Sequence, residues 1–157
     1  MSKGCIDALN CEGCRESCYR DPHYLPMVVT DYDLRIRQLP EWMCEVCEDG
    51  YRAMKYDQKK KCCIAFQGDG VGCILPREHR PGSCLVYPYW LYDGDEILIH
   101  LGCPSALSLA RVLANGCRKS LKELEDVKKV FAADEELREF CKKDSRRFRC
   151  RLIVGRL

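Results

Sequence analysis

Cysteine constrains this chain more than any other residue type, because 14 of its 157 residues are cysteine. A content near this level is typical of proteins in which disulfides or metals dominate the architecture. Hydrophobic residues make up 46% of the chain and charged residues 32%, a composition that allows a globular core without covalent staples. The surplus of cysteine therefore needs a chemical reason of its own.

The compartment in which the chain works decides between disulfides and metal. Residues 1–7 contain none of the apolar run of ~7–15 residues that a secretory signal peptide needs. No segment reaches the ~20 apolar residues of a membrane-spanning helix. We therefore expect a cytoplasmic protein with no membrane partner. Because persistent disulfides are rare in the cytoplasm, the cysteines are predicted to bind metal or to be redox-active thiols, with a disulfide framework as the less favoured alternative.

The charge balance bears on partners. The formal net charge is +2, which gives no overall field for recruiting nucleic acid or an anionic membrane, and neither is expected as a partner. The densest basic run lies at 142–151. Such a run is usually a solvated face, and its alternative role is a docking surface for an acidic protein partner.

Periodicity and turn residues predict an α+β fold. We expect a small, loop-rich cysteine-cluster body with short strands over residues 1–104, followed by a C-terminal helical segment over 105–157 that packs on it. Thr30 is predicted to cap the first of two short helices, which Pro40 separates. The predicted elements of the body are helices at 31–39 and 41–48, an edge strand at 51–56, and strands at 85–92 and 96–101.

The C-terminal segment has clearer helix signals. Ser105 precedes a predicted helix at 106–114, and Ser120 with Glu123 forms a capping-box pattern at the start of the next helix. A third helix is predicted from about Asp134. Residues 148–154 alternate enough to predict a final edge strand.

Seven cysteines fall into two spaced sets that are the primary metal-ligand candidates. They are Cys11, Cys14 and Cys18 in the first set and Cys63, Cys73, Cys84 and Cys103 in the second. A Cys-x-x-Cys step can bring two sulfurs to one side of a turn. The step also occurs at Cys44 and Cys47, which together with Cys62 are secondary candidates. Cys117 and Cys141, on predicted helices, are expected to be ordinary buried thiols.

Four blocks of the chain carry a family resemblance. The cysteine triplet at 11–18 is followed by VVTDYDL at 28–34, by GC at 72–73 and by RPGSCLVYP at 80–88. In this order they resemble the YkgJ-type cysteine cluster family, a group of zinc- or iron-chelating proteins with a Cys-x-x-Cys-x-x-Cys-Cys motif. The resemblance runs from about residue 11 to residue 103 and implies a metal site built from the seven candidate cysteines.

The chain departs from the family pattern at two points. Ser17-Cys18 stands where the family has paired cysteines, and residues 40–61 look like an insertion between matching blocks. Two alternatives follow for the inserted thiols. Either Cys44 or Cys47 replaces the missing ligand, or the two form a separate small site.

Iron–sulfur clusters and zinc both suit such a ligand set, since each binds about four thiolates. Gly13, Gly72 and Gly102 leave room beside the ligands for a cluster and for N–H···S hydrogen bonds, which favours one or two 4Fe–4S clusters, with zinc as the alternative. Arg80 is expected to neutralise thiolate charge or to hold a neighbouring carbonyl. Tyr87 is expected to shield the site.

The sequence contains no Gly-rich phosphate loop, Ser-His-Asp series or paired carboxylates, so it gives no support to an enzymatic role. We expect an intracellular metal-binding protein with protein partners in a redox or assembly complex. Of the possible metal centres, an iron–sulfur cluster is the preferred interpretation. The role of the protein would be electron transfer, cluster handling or that of an accessory subunit of a redox enzyme. The alternatives are a zinc-stapled protein-interaction module and, because related cysteine clusters occur in flagellin lysine N-methylases, an enzyme that methylates protein lysines.

Overall fold

The protein has a mixed α+β fold, seen in a computed structural model that describes residues 27–68, 72–146 and 148–157. Five α-helices and eight short strands lie within these ranges, and the predicted fold class is confirmed. Two compact units are present, one within Arg15–Leu85 and one that includes Val86–Leu157. They are called the 15–85 unit and the 86–157 unit below. The predicted division at residue 104 stays a prediction.

A three-stranded antiparallel sheet forms the centre of the 15–85 unit. Its strands are β1 (Val28–Val29), β2 (Cys44–Val46) and β3 (Arg52–Met54). β3 is the middle strand and pairs with both neighbours. Ala53 on β3 is fully buried, as expected for a central strand whose inner face packs on a core.

A short helix, α1 (Asp31–Arg35), follows β1 directly. The Thr30 hydroxyl oxygen accepts a hydrogen bond from the Asp33 amide at 3.2 Å, and the Asp33 carboxylate accepts one from the Thr30 amide at 3.0 Å. This reciprocal capping box confirms the role predicted for Thr30. The helix ends at Arg35 rather than at residue 39, and the chain then turns at Gln38, whose φ is +56°.

The helix predicted at 41–48 is wrong. Glu41–Met43 forms a single 3-10 turn, after which the chain enters β2 and pairs with β3 in the register Cys44↔Met54. This tertiary pairing supplies backbone partners that local sequence does not reveal. The hairpin turn closes at Gly50, whose φ of +82° suits glycine. As a result β2 is an edge strand, as β1 is, and the strand predicted as an edge at 51–56 is central.

A second, two-stranded element carries two of the cysteines. β4 (Tyr56–Asp57) pairs antiparallel with β5 (Cys62–Cys63). The Asp57 carboxylate accepts hydrogen bonds from the amides of Lys59 and Lys60 at 2.9 and 3.0 Å. These bonds lower the pKa of Asp57, and the bond from the Lys60 amide contributes most. The lysine run is therefore a turn held by an aspartate cap.

The 86–157 unit contains a second three-stranded antiparallel sheet. Its strands are β6 (Tyr89–Tyr92), β7 (Glu96–Ile99) and β8 (Leu152–Arg156), with β7 in the middle. The predicted strands at 85–92, 96–101 and 148–154 are thus present with shifted ends. Trp90, Ile97 and Phe131 are fully buried and form part of the core between this sheet and the helices.

Sequence signals locate two of the described helices closely. Besides α1, the helices within the described residues are α2 (Gly82–Val86), α3 (Ala106–Ala114), α4 (Arg118–Ala133) and α5 (Glu135–Ser145). α3 has the predicted bounds, and Asp134 caps α5 by accepting from the Leu137 amide at 3.0 Å. The capping box predicted at Ser120 is wrong, because α4 begins at Arg118 and Ser120 is buried inside it.

Within the described ranges, no helix is both long and apolar enough to cross a membrane.

Candidate metal-binding site

The primary candidate ligands divide between described and undescribed parts of the chain. Cys11, Cys14 and Cys18 lie outside the described residues. Cys63, Cys73 and Cys84 belong to the 15–85 unit, and all three are half-buried and form no disulfide. Cys103 is buried in the 86–157 unit and forms no disulfide.

Cys63 and Cys73 lie on two arms of one loop. Cys63 ends β5, opposite Tyr56 of β4, and its carbonyl accepts from the Phe66 amide at 2.9 Å. Phe66 in turn forms an antiparallel bridge with Cys73. Phe66 is buried, so its side chain anchors this loop while the two thiols remain partly accessible.

Arg80 holds a backbone carbonyl. Its Nε donates to the Leu75 carbonyl oxygen at 3.0 Å. This bond closes the loop that contains the 3-10 turn at Arg77–His79. Next to it, His79 Nδ1 lies 2.5 Å from the Arg37 carbonyl oxygen. Of the two roles expected for Arg80, the carbonyl contact is therefore present in the structure.

Cys84 lies in α2, whose first residues are fastened to the start of α1. The Gly82 amide donates to Asp33 Oδ1 at 2.8 Å, and the Ser83 hydroxyl donates to the Val28 carbonyl oxygen at 2.8 Å. Gly82, Ser83 and Asp33 are buried. Both bonds are shielded from water, so they hold the segment that carries Cys84 in a defined position.

Asp33 is the residue that sequence reasoning missed. Its carboxylate is fully buried and accepts from the amides of Thr30 and Gly82. Arg37 Nε lies 3.2 Å from Asp33 Oδ1, within ion-pair range, although the N–H direction does not make a good hydrogen bond. The available signal was the spacing of Thr30 and Asp33, which matches a capping box.

Cys44 and Cys47 do not sit together on a turn. Cys44 begins β2, and the Cys47 amide continues the strand ladder by donating to the Tyr51 carbonyl at 2.8 Å. Positions three apart on an extended strand face opposite sides. The Cys44 Sγ lies 3.9 Å from the Pro40 carbonyl oxygen. Burial is the main cause that raises the pKa of both thiols, and a hydrogen bond with the Tyr51 side chain opposes it at Cys47.

The remaining candidates have distinct surroundings. Cys62 is 3% exposed, whereas its strand neighbour Cys63 is half-buried, because successive strand residues face opposite sides. The Cys103 amide donates to the His100 carbonyl oxygen at 2.9 Å and so closes a tight turn. Tyr87 is half-buried and precedes a cis peptide bond to Pro88.

Three cysteines outside the candidate set also have defined states. Cys141 is a free thiol with no exposed surface, as predicted, and burial raises its pKa well above its usual value. Cys150 is a free, exposed thiol. Cys117 is disulfide-bonded, so the prediction that it is an ordinary buried thiol is wrong.

The donor chemistry suits thiophilic metals, because thiolates are the preferred ligands of iron–sulfur clusters and of structural zinc. However, no group of three or more His, Cys, Asp or Glu side chains within the described residues is arranged to hold a metal ion. A four-thiolate site would therefore need ligands beyond those ranges, which is where the sequence predicts the Cys11, Cys14 and Cys18 triplet.

No protein family, curated protein or solved structure matches this chain in comparisons with known proteins.

Proposed function

We propose that this chain is a cytoplasmic metal-binding protein that holds an iron–sulfur cluster through its cysteine thiolates. Its role would be electron transfer, cluster handling or that of an accessory subunit in a redox enzyme complex, with a protein partner. The single observation that carries the proposal is that nine of the ten cysteines in the described residues form no disulfide. Thiols outside disulfides in this number suit metal ligation better than a disulfide framework.

The ligand set that we propose combines the two spaced groups of cysteines. Its members are Cys11, Cys14, Cys18, Cys63, Cys73, Cys84 and Cys103, with Cys44, Cys47 and Cys62 as secondary candidates. Half-burial of the thiols at 63, 73 and 84 supports this choice, because such sulfurs are reachable by an incoming cluster and can later be shielded by it. When bound, the cluster would supply reversible one-electron transfer.

The contacts around Cys84 support the proposal that the segment 80–88 positions this cysteine. Asp33 and Ser83 fix the start of α2 through buried hydrogen bonds, so the Cys84 thiol is presented on a rigid support. Arg80 fixes the preceding loop through the Leu75 carbonyl. These contacts join the blocks at 28–34 and 80–88 that carry the resemblance to the YkgJ-type family, and we propose membership of that family on this basis.

Anaerobic isolation followed by iron, sulfide and zinc analysis tests this proposal. We expect iron and acid-labile sulfide in equal amounts, together with a broad visible absorption that bleaches on reduction. Zinc without iron or visible colour would favour the alternative of a zinc-stapled interaction module. A folded, colourless and metal-free protein would contradict both.

A further inference from the structure

The outer edge of β2, which is the side facing away from β3, has features that point to a function independent of any metal. In the β2–β3 hairpin, the Cys47 amide donates to the Tyr51 carbonyl and the Lys55 amide donates to the Met43 carbonyl, each at 2.8 Å. Alternate residues of an antiparallel strand turn their peptide groups toward the partner strand, and those between them turn outward. The N–H and C=O of Val46 therefore point away from β3, toward the open edge of the sheet.

Apolar side chains are exposed along the same segment. Val46 is 72% exposed, and Trp42, in the 3-10 turn just before β2, is 61% exposed. The Trp42 carbonyl is bound by the Lys55 ammonium group at 2.5 Å, which fixes the backbone of the turn. Exposed edge strands with apolar side chains are templates for pairing with another chain.

The charge along this edge is strongly negative. Four exposed carboxylates flank β2, and within the described part of the chain none of them forms an ion pair; they are those of Glu41, Glu45, Glu48 and Asp49. Arg52, which lies opposite Val46 in the register, is already paired with Asp31 at 2.6 Å. An approaching segment thus meets more negative than positive charge, with the Lys55 ammonium on the Trp42 carbonyl as a nearby cation.

We propose that β2 is a docking edge for an extended, basic segment of a partner protein, which joins the sheet as an added strand beside β2. Backbone hydrogen bonds to Val46 would supply register, and the surrounding carboxylates would select lysine- or arginine-rich sequences. A second copy of β2 is disfavoured as the occupant. The carboxylates that flank it would repel those that flank the β2 to which it binds. The basic C-terminal segment of another copy is a poor occupant as well, since Arg146 and Arg156 lie against Asp93 and Glu96.

Binding of a defined peptide to the full chain tests the proposal. The probe is an acetylated and amidated hexapeptide of alternating lysine and valine, compared with a hexapeptide of alternating glutamate and valine. The readouts are the amide chemical shifts of residues 44–47 and the emission of Trp42, which can be separated from that of buried Trp90 by a Trp42→Phe variant. We expect the basic peptide to shift both signals, less so at high salt, and the acidic peptide to shift neither.

Two variants separate backbone pairing from charge. Val46→Pro removes the outward N–H and leaves the β2–β3 ladder intact, so it should weaken binding roughly two- to tenfold, the worth of one hydrogen bond. The double variant Glu45→Gln with Glu48→Gln should weaken binding and reduce its dependence on salt. Glu78→Gln, which alters an exposed carboxylate elsewhere in the 15–85 unit, is the matched control and should bind as the unchanged chain does.

Three results would overturn the proposal. The first is equal response to both peptides, and the second is full binding by Val46→Pro when circular dichroism confirms that it is folded. The third is self-association of the chain alone that Val46→Pro abolishes, since β2 would then be an interface between copies. If Val46→Pro does not fold, the double glutamate variant decides, and unchanged affinity and salt dependence would reject the docking edge.

Discussion

Asp33 Oδ1 accepts a hydrogen bond from the Gly82 amide at 2.8 Å across a sequence separation of 49 residues. The bond ties the capped start of α1 to the start of α2, which carries Cys84. Because the Asp33 carboxylate is fully buried, it needs hydrogen-bond donors in place of water. The buried donors in turn need the carboxylate as their acceptor. This interaction gives the segment that carries Cys84 a defined position within the 15–85 unit.

Replacing Asp33 should destabilise the protein strongly. Asp33→Ala leaves the Thr30 and Gly82 amides without their buried acceptor and the Arg37 guanidinium without its ion-pair partner, and we expect a loss of about 3 kcal/mol in the free energy of unfolding. Asp33→Asn keeps one amide oxygen as an acceptor and should cost less. Urea unfolding followed by circular dichroism measures both values.

The matched control is Asp31→Ala. Asp31 is exposed and pairs with Arg52 at 2.6 Å, so its loss should cost only ~0–1 kcal/mol. Equal effects of the two alanine variants would refute the structural role of Asp33.

Cys141 and Cys150 should differ sharply in reactivity toward iodoacetamide. Cys141 has no exposed surface, and burial raises its pKa well above the usual value, so little thiolate is present to react. Cys150 is exposed and should be alkylated first. Mass spectrometry of the native protein over time measures both sites, with Cys150→Ser confirming the assignment. Alkylation of Cys141 as fast as that of Cys150 would mean that the helix α5 does not pack as described.

Asp95 and Lys142 form an ion pair at 2.6 Å that links the β6–β7 turn to α5. The hydrogen bond between them is the largest cause that lowers the pKa of Asp95 and raises that of Lys142. Both side chains are partly exposed, so a double-mutant cycle with Asp95→Asn and Lys142→Met should give a coupling of only ~0.2–1 kcal/mol near neutral pH.

The pH dependence of this coupling has a definite sign. Because folding lowers the pKa of Asp95, its contribution is complete above the unfolded pKa of about 3.9 and is lost as the pH falls through the lower folded value. Because folding raises the pKa of Lys142, its contribution is complete below about 10.4 and is lost as the pH rises through the folded value. A coupling that grows at acid pH would contradict the assignment.

Sequence signals succeeded where local chemistry decides the structure. Ser105 and Asn115 bracket a helix whose observed bounds, Ala106–Ala114, are those predicted. Thr30 caps α1 as expected. The Thr30 side chain caps its helix within three positions, whereas Ser105 precedes α3 without a side-chain cap hydrogen bond, so at α3 the predicted bounds are confirmed but not the cap.

Sequence signals failed where a partner distant along the chain decides. Cys44–Val46 was predicted as part of a helix, but pairing with β3 makes it a strand. Asp33 looked like a helix-start residue, and nothing local indicated that Gly82 would complete its shell of donors. The same reason limits the metal site, because convergence of thiols that are far apart in the chain cannot be derived from spacing alone.

The metal content of Cys84→Ser, compared with that of Cys141→Ser, tests the central claim most directly. Both variants remove one thiol that forms no disulfide, but only Cys84 is a proposed ligand, whereas Cys141 is buried in the core. After anaerobic isolation we expect Cys84→Ser to lose most of its bound iron and sulfide and Cys141→Ser to retain the full amount. Equal metal content in the two variants, or no metal in the unchanged protein, would contradict the account.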